Sequence, residues 1–277
     1  MQLLQAFIGA FLISFICSLG GLSGGIILLP FQMIVLGIPS LPASAHNFIY
    51  NVMATPLGVM KYIKSKRMLA PLTKVLCLSS VPGVILGVVN RMYFFKNEIL
   101  FRYFCFALIL ALSIKLLFSI KKQATKINPD ATIEDTSEEK GIISYSFSGD
   151  KFEISYKKIA VTGFSVGFVG GMYGIGGAAL ITPILSGFFL LPVYTISGST
   201  LLANCVNSLV GLIGFVLINF FLQGNSINVD FTMGITMGLA GLTGVYLGTC
   251  IQNRVPERII KYILFVIMLF TAFKLIL

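Results

Sequence analysis

Carboxylates are scarce in this chain: ten Asp and Glu occur among 277 residues, and none falls in the middle of an apolar run. Asp130, Glu134, Asp135, Glu138, Glu139, Asp150 and Glu153 lie in one central loop, and Glu98, Asp230 and Glu257 sit at expected helix ends. A cation carrier or a carboxylate proton relay ordinarily needs an acid at mid-membrane, so the inventory favours an anionic or neutral guest. Histidine occurs once, at His46, and the five cysteines form no CxxC pair and no spacing of a metal site. Neither a metal nor a cofactor is expected. GxxxxGK[ST] and HExxH are missing as well, which argues against an ATP-driven pump and a zinc metalloprotease of that type. An enzyme should gather titratable groups at one interface, and only scattered Lys and Arg are on offer, so an enzyme is not expected.

What the chain has in abundance is apolar surface. With 56% hydrophobic residues, 11% charged and a mean hydropathy of +0.94, it must be solvated mostly by lipid. Apolar stretches long enough to span a hydrocarbon core run over 3–37, 42–62, 72–90, 98–118, 159–191, 195–222, 230–251 and 257–277, eight spanning elements in all. No Lys or Arg precedes the first, and no small-residue cleavage site follows it, so it is expected to be retained. The net charge of +10 is no nucleic-acid footprint, because the basic residues sit at helix ends and in loops rather than forming a face. Lys61, Lys64, Lys66, Arg67 and Lys74 flank one connection, and seven more lie between Lys121 and Lys158. Both loops are therefore expected in the cytoplasm of an inner-membrane, multi-pass protein. Eight passes put both termini there too, although the connection at 223–229, on the same side by this count, carries no positive charge.

The first apolar segment recurs 153 residues later. Phe11/Phe164, Phe15/Phe168, Gly21/Gly174, Gly24/Gly177, Pro30/Pro183, Pro39/Pro192, Ser44/Ser197, Asn51/Asn204 and Gly58/Gly211 are identical at that offset. With small gaps, Gly83 and Gly87 match Gly244 and Gly248, and Tyr103, Phe106, Leu110 and Lys115 match Tyr262, Phe265, Leu269 and Lys274. The expected fold is an all-α polytopic bundle of two four-helix repeats, 1–118 and 159–277, around a polar loop at 119–158. Alternation over 143–156 around Gly149 predicts a β-hairpin in that loop. An even number of passes per repeat makes the halves parallel; a full return at either glycine cluster would invert them.

A continuous helix over 3–37 would extend about 50 Å against a core of about 30 Å, so it must break. The glycines of 20–25 and of 170–177 are the expected places, each with a proline beyond. Freed backbone at this depth is tolerated only inside protein or along a polar cavity, and a restarting half-helix points N–H groups at whatever lies there. GxxxG packing is the competing use of the same glycines. Asn47, Asn51 and Thr55 then form a stripe at i, i+4 and i+8, repeated by Thr200, Asn204 and Ser208. Amides and hydroxyls of this kind donate to an oxyanion without a buried counter-charge, or simply bond helix to helix. Gly24, Gly25, Gly176 and Gly177 complete the candidate substrate site, and His46, beside the stripe, is the candidate for proton coupling.

Duplicated four-helix halves that open with Gly21-Leu-Ser-Gly-Gly25 and Gly174-Ile-Gly-Gly-Ala178 and continue to a proline resemble the sulfite exporter family TauE/SafE. Ser23 and Ala178 each depart by one position from that family's GxGGG pattern. The resemblance covers nearly the whole chain and implies a bacterial-type permease moving sulfite or organosulfur anions such as sulfonates, generally outward. The expected partners are such a small anion and the lipid bilayer. A membrane scaffold without transport and a permease for another small solute are the alternatives.

Overall fold

The computed structural model describes residues 1–19, 23–65, 68–121, 133–139, 141–221, 229–251 and 257–276. In chain order the elements are α1 (Gln2–Leu19), α2 (Gly25–Ile34), α3 (Ser40–Ala54), α4 (Pro56–Lys64), α5 (Ala70–Tyr93), α6 (Glu98–Lys121), β1 (Ile133–Glu139), β2 (Ile142–Phe147), β3 (Asp150–Ser155), α7 (Tyr156–Tyr173), α8 (Ala178–Gly187), α9 (Val193–Phe221), α10 (Phe231–Ile251) and α11 (Glu257–Ile276). Among the described residues, α1, α5, α6, α9, α10 and α11 are long and apolar enough to cross a membrane. The protein is thus a mostly helical, multi-pass membrane protein.

Three of the eight expected spans are divided in two. Segment 3–37 separates into α1 and α2, with Gly20, Gly21 and Leu22 outside the described residues. Segment 159–191 separates into α7 and α8 at a shorter break than expected, because Gly170 and Gly171 stay helical. Gly174 ends α7 at φ +93, and Gly176 and Gly177 follow at +64 and +101, conformations open at low cost only to glycine. Segment 42–62 parts between α3 and α4 because Pro56 has no N–H to continue the ladder. The Thr55 N–H and Oγ1 both bond the Asn51 carbonyl there, at 3.1 and 2.7 Å.

The two glycine breaks reverse the chain. Gln2 Nε2 donates to the Leu36 carbonyl (3.0 Å), Gly9 faces the Phe31 ring, and Gly24 faces Ser14, so α2 runs back along α1. Likewise Gly177 lies against Gly170 and Val166, and α8 then reaches the Lys115 amine, which donates to the Pro183 carbonyl. Each pair is a helical hairpin that enters and leaves by one face of the bundle. The remaining directions follow from glycine contacts: α5 and α7 are parallel (Gly83 on Phe164, Gly87 on Phe168), as are α1 and α10 (Gly244 on Phe11, Gly248 on Phe15). By contrast α3–α4 and α9 are antiparallel (Phe48 on Gly211, Gly58 on Leu201).

These directions define two faces. Gln2, Leu36, the start of α3 and the ends of α5 and α11 share one, the terminal face; the sheet and the start of α9 lie on the other, the sheet face. Eight uninterrupted passes would have left the chain ends and the central loop together. The two reversals separate them, and this differs from the topology expected of the sequence.

At the terminal face the buried Arg91 donates to Ser40 Oγ (2.6 Å) and to the Phe95 carbonyl and stacks on Phe101 at 3.5 Å. Ser40 in turn donates from Oγ to Glu98 at 2.6 Å, and its N–H points at the same carboxylate, which suits the positive end of α3. A snorkelling arginine would face water; this one is spent on fastening α3, α5 and α6.

At the sheet face, β1, β2 and β3 form an antiparallel sheet in that order, with Tyr145 opposite Phe152. Ile143, Tyr145, Phe147 and Ile154 are buried in the same core as Leu69, Leu72, Leu185 and Ile196. Tyr145 Oη bonds Thr195 Oγ1 at 2.8 Å, and burial raises the Tyr145 phenol above its ordinary pKa, so it stays a neutral partner. The sheet is therefore docked on the ends of α5, α8 and α9.

Glycine sets the α5–α7 spacing: a Cβ on Gly83 would lie 2.2 Å from the Phe164 carbonyl oxygen, whereas one on Gly214 would meet only Val88 Cγ1 at 3.9 Å. Gly83→Ala is expected to destabilise the purified protein by about 1–3 kcal/mol, and Gly214→Ala to change it by less than about 0.5 kcal/mol. Thermal unfolding in detergent compares the two.

Candidate functional site

The hairpin tips meet in the interior, one arriving from each face. A Cβ on Gly25 would sit 3.4 Å from Ile175 Cγ2, and Tyr173 Oη donates to the Ile26 carbonyl at 2.7 Å. That carbonyl needs a donor because Pro30, four residues on, has none to give. One hairpin thus repairs the other's helix defect.

Near mid-length of α3–α4 and α9, the two polar stripes touch. Asn204 Nδ2 donates to Asn51 Oδ1 at 3.2 Å, joining residues related by the 153-residue offset. Asn51 Oδ1 also accepts from Ser23 Oγ at 3.2 Å, and Asn51 Nδ2 donates to the Asn47 carbonyl at 2.9 Å. Asn47 Nδ2 donates to the Gly25 carbonyl at 2.8 Å, while Asn207 Nδ2 donates to the Gly176 carbonyl at 2.7 Å and accepts at Oδ1 from Ser80 Oγ at 2.7 Å. Each hairpin tip is therefore held by an asparagine from the long helix that follows it.

The packing is close. A Cβ on Gly176 would lie 2.3 Å from Ser208 Oγ and 2.8 Å from Asn204 Oδ1, and one on Gly25 would lie 3.2 Å from Asn51 Nδ2. Side chains and hairpin backbone fill the junction in this conformation. Asn47 Oδ1 and Ser208 Oγ are nevertheless buried without a hydrogen-bond partner, a costly state in a site of low dielectric.

Of the residues singled out from sequence, Gly25, Asn47, Asn51, Gly176, Asn204 and Ser208 come together here. Gly24 faces Tyr50 Oη and Ser14 instead, and Gly177 faces Val166. The Thr55 hydroxyl bonds back to its own helix, and Thr200 pairs with Thr182 of α8 at 3.1 Å. His46 is buried next to the stripe but bonds none of it: its Nδ1 lies 3.1 Å from Gln32 Oε1 of α2. Ser23, Gln32, Tyr173 and Asn207 belong to the polar interior with weaker sequence signals. Pro30 was the usable one, since a proline in a buried helix announces a carbonyl that some side chain must satisfy. Among the described residues no group of three or more His, Cys, Asp or Glu is placed to hold a metal.

A multi-pass helical bundle whose broken helices meet at a buried, amide-lined and carboxylate-free junction has the build of a membrane transporter. The family model described as Sulfite exporter TauE/SafE matches residues 6–275, and the chain belongs to that family of membrane transporters. It is similar to the protein described as Probable membrane transporter protein YunE from Bacillus subtilis (strain 168), with 24% identity over 271 residues covering 94% of this chain and 92% of the relative. No solved structure matches the chain.

If the Asn51–Asn204 contact couples the two long helices, a double-mutant cycle with Asn51→Ala and Asn204→Ala will return a coupling of about 0.6–1.7 kcal/mol, the range of hydrogen bonds between membrane helices. Equilibrium unfolding in mixed micelles reads it.

Proposed function

We propose that the chain is a secondary transporter of a small sulfur oxyanion, sulfite or an organosulfur anion such as a sulfonate, which binds where the hairpin tips meet. The observation that carries this reading is the Asn51–Asn204 bond: two equivalent amides, one per half, close on each other amid backbone freed by the helix breaks. Parted, they leave Asn47, Asn51, Asn204, Ser23 and Ser208 as neutral donors around a gap bounded by Gly25 and Gly176. An anion there exchanges its hydration for amide and hydroxyl donors, and no carboxylate stands near to repel it.

The halves are read as inverted repeats. Equivalent contacts support this: the Gly83–Phe164 and Gly87–Phe168 backbone approaches of α5 and α7 have their counterparts in Gly244–Phe11 and Gly248–Phe15 of α10 and α1. The antiparallel crossing of α3 and α9 at Asn51 and Asn204 supports a relating axis in the membrane plane. Rocking of one half against the other around that axis would open the junction to one face and then the other.

Charge gives the orientation. Among the described residues, Lys61, Lys64, Lys74, Lys151, Lys157, Lys158 and Lys261 belong to connections and helix ends on the sheet face. Arg91, Lys96, Arg102 and Lys274 belong to the terminal face. By the positive-inside rule the sheet is cytoplasmic and both chain ends are outside the inner membrane. Outward movement of the anion is the direction proposed. The alternative of a docking scaffold has less support, because the apolar face of the sheet is used up against the bundle.

In liposomes the wild-type protein is expected to carry sulfite, and the Asn51→Leu/Asn204→Leu variant to slow initial flux by about 10- to 100-fold, the loss of one or two hydrogen bonds to a charged guest. Flux at the wild-type level in a folded double variant removes the site.

Orientation has its own check. With the native cysteines replaced, Gln2→Cys should react with an impermeant thiol reagent on intact cells, and Asp150→Cys only after permeabilisation. Labelling of both on intact cells, or of neither, contradicts the assignment.

A further inference from the structure

Outside the central junction, a pair of buried polar side chains lies between the first hairpin and α3 with part of its hydrogen-bonding capacity unused. Gln32 of α2 and His46 of α3 are both buried, and their single mutual bond joins Nδ1 to Oε1 at 3.1 Å. Gln32 Nε2 and His46 Nε2 have no hydrogen-bond partner. Because Gln32 presents its oxygen, the imidazole proton sits on Nδ1, and Nε2 is a bare acceptor. Nε2 is thereby the one ring atom left to take up a proton.

The charged surroundings are simple. Gln32, from α2, is neutral. At the start of α10 the Asp230 carboxylate accepts the Met233 N–H at 3.0 Å, and Gly234, one turn on, packs on Ile49 of α3, which sets the carboxylate near the level of His46. Asp230 begins α10 at the terminal face. No such pair exists at the related position in the other half: the 153-residue offset puts Ser199 at His46 and Leu185 at Gln32. Ser199 is satisfied by Thr73 and the Leu69 carbonyl, and Leu185 is core. Packing therefore does not demand an ionisable pair here, and only the first half, whose hairpin enters from the terminal face, has one.

We infer that His46, positioned by Gln32, is a proton site coupled to the anion site, loading from the terminal face past Asp230. Its lone pair at Nε2 takes up the proton, which makes an imidazolium one residue from Asn47. This deepens the anion-transport reading and rests on it: a cation beside the junction lowers the cost of a negative guest in hydrocarbon, and the guest favours the proton by the same factor.

His46 is the sole histidine, so ¹⁵N-histidine labelling of the full chain in lipid nanodiscs gives one imidazole signal. The ring is expected to pass from the Nδ1–H neutral tautomer to imidazolium on acidification from about pH 8 to about pH 4. Saturating sulfite should raise the midpoint by about one pH unit, a tenfold coupling. Gln32→Leu should shift the neutral ring toward the Nε2–H tautomer, a signature that a merely space-filling glutamine would not give. A ring that stays neutral throughout, with and without sulfite, overturns the inference. Sulfite flux in liposomes with an unmoved midpoint sinks the coupling alone, whereas absence of sulfite flux in the wild type sinks the anion reading and the coupling with it.

Discussion

Backbone carbonyls released inside a membrane have to find donors, and the interior of this protein is organised around that requirement. Two glycine clusters and two prolines interrupt helices at depth. Asn47 serves Gly25, Asn207 serves Gly176, and Tyr173 serves the Ile26 carbonyl that Pro30 leaves open. Each donor comes from a different helix than the defect it repairs. The breaks thereby become joints that hold hairpins to long helices, and one of the repairing amides, Asn47, also belongs to the polar stripe of α3.

The same economy explains why the junction is closed here. Asn204 and Ser23 both donate to Asn51 Oδ1 and Asn51 Nδ2 donates to the Asn47 carbonyl, so the polar centre is tolerable without a guest. A transporter must pass through states in which its site is empty, and amides that pair with one another lower the cost of that state. Asn47 Oδ1 and Ser208 Oγ, left without partners, mark where the pairing is incomplete. Around this centre the two faces differ: a buried Arg91 network holds the terminal face and a docked sheet covers the other.

Membrane embedding, the glycine breaks and the polar stripes were legible along the chain, because lipid punishes charge and exposed backbone so heavily that composition alone betrays them. The family was legible for the same reason, in the repeated glycine–proline segments. Less of the site was visible. Thr55 and Thr200 shared the stripe's spacing with Asn51 and Asn204, yet periodicity gives a helix face, not which residue on it meets a partner. Gly24 and Gly177 flank the breaks but turn to Tyr50 and Val166. Gln32 was invisible as part of a pair, since its partner lies on another helix.

What the linear chain determined by itself was that it lives in lipid, that its opening segments must break, and that no acid waits at the centre. All of these follow from the free energy of transferring single residues or short runs out of water. What only the tertiary structure decided was the direction of travel after each break. A glycine cluster permits continuation and reversal alike, at similar local cost. The choice was made by contacts far along the chain, Gly9 against Phe31, Gly177 against Val166 and the two hairpin tips against each other, and with it went the faces on which the chain ends and the central sheet emerge.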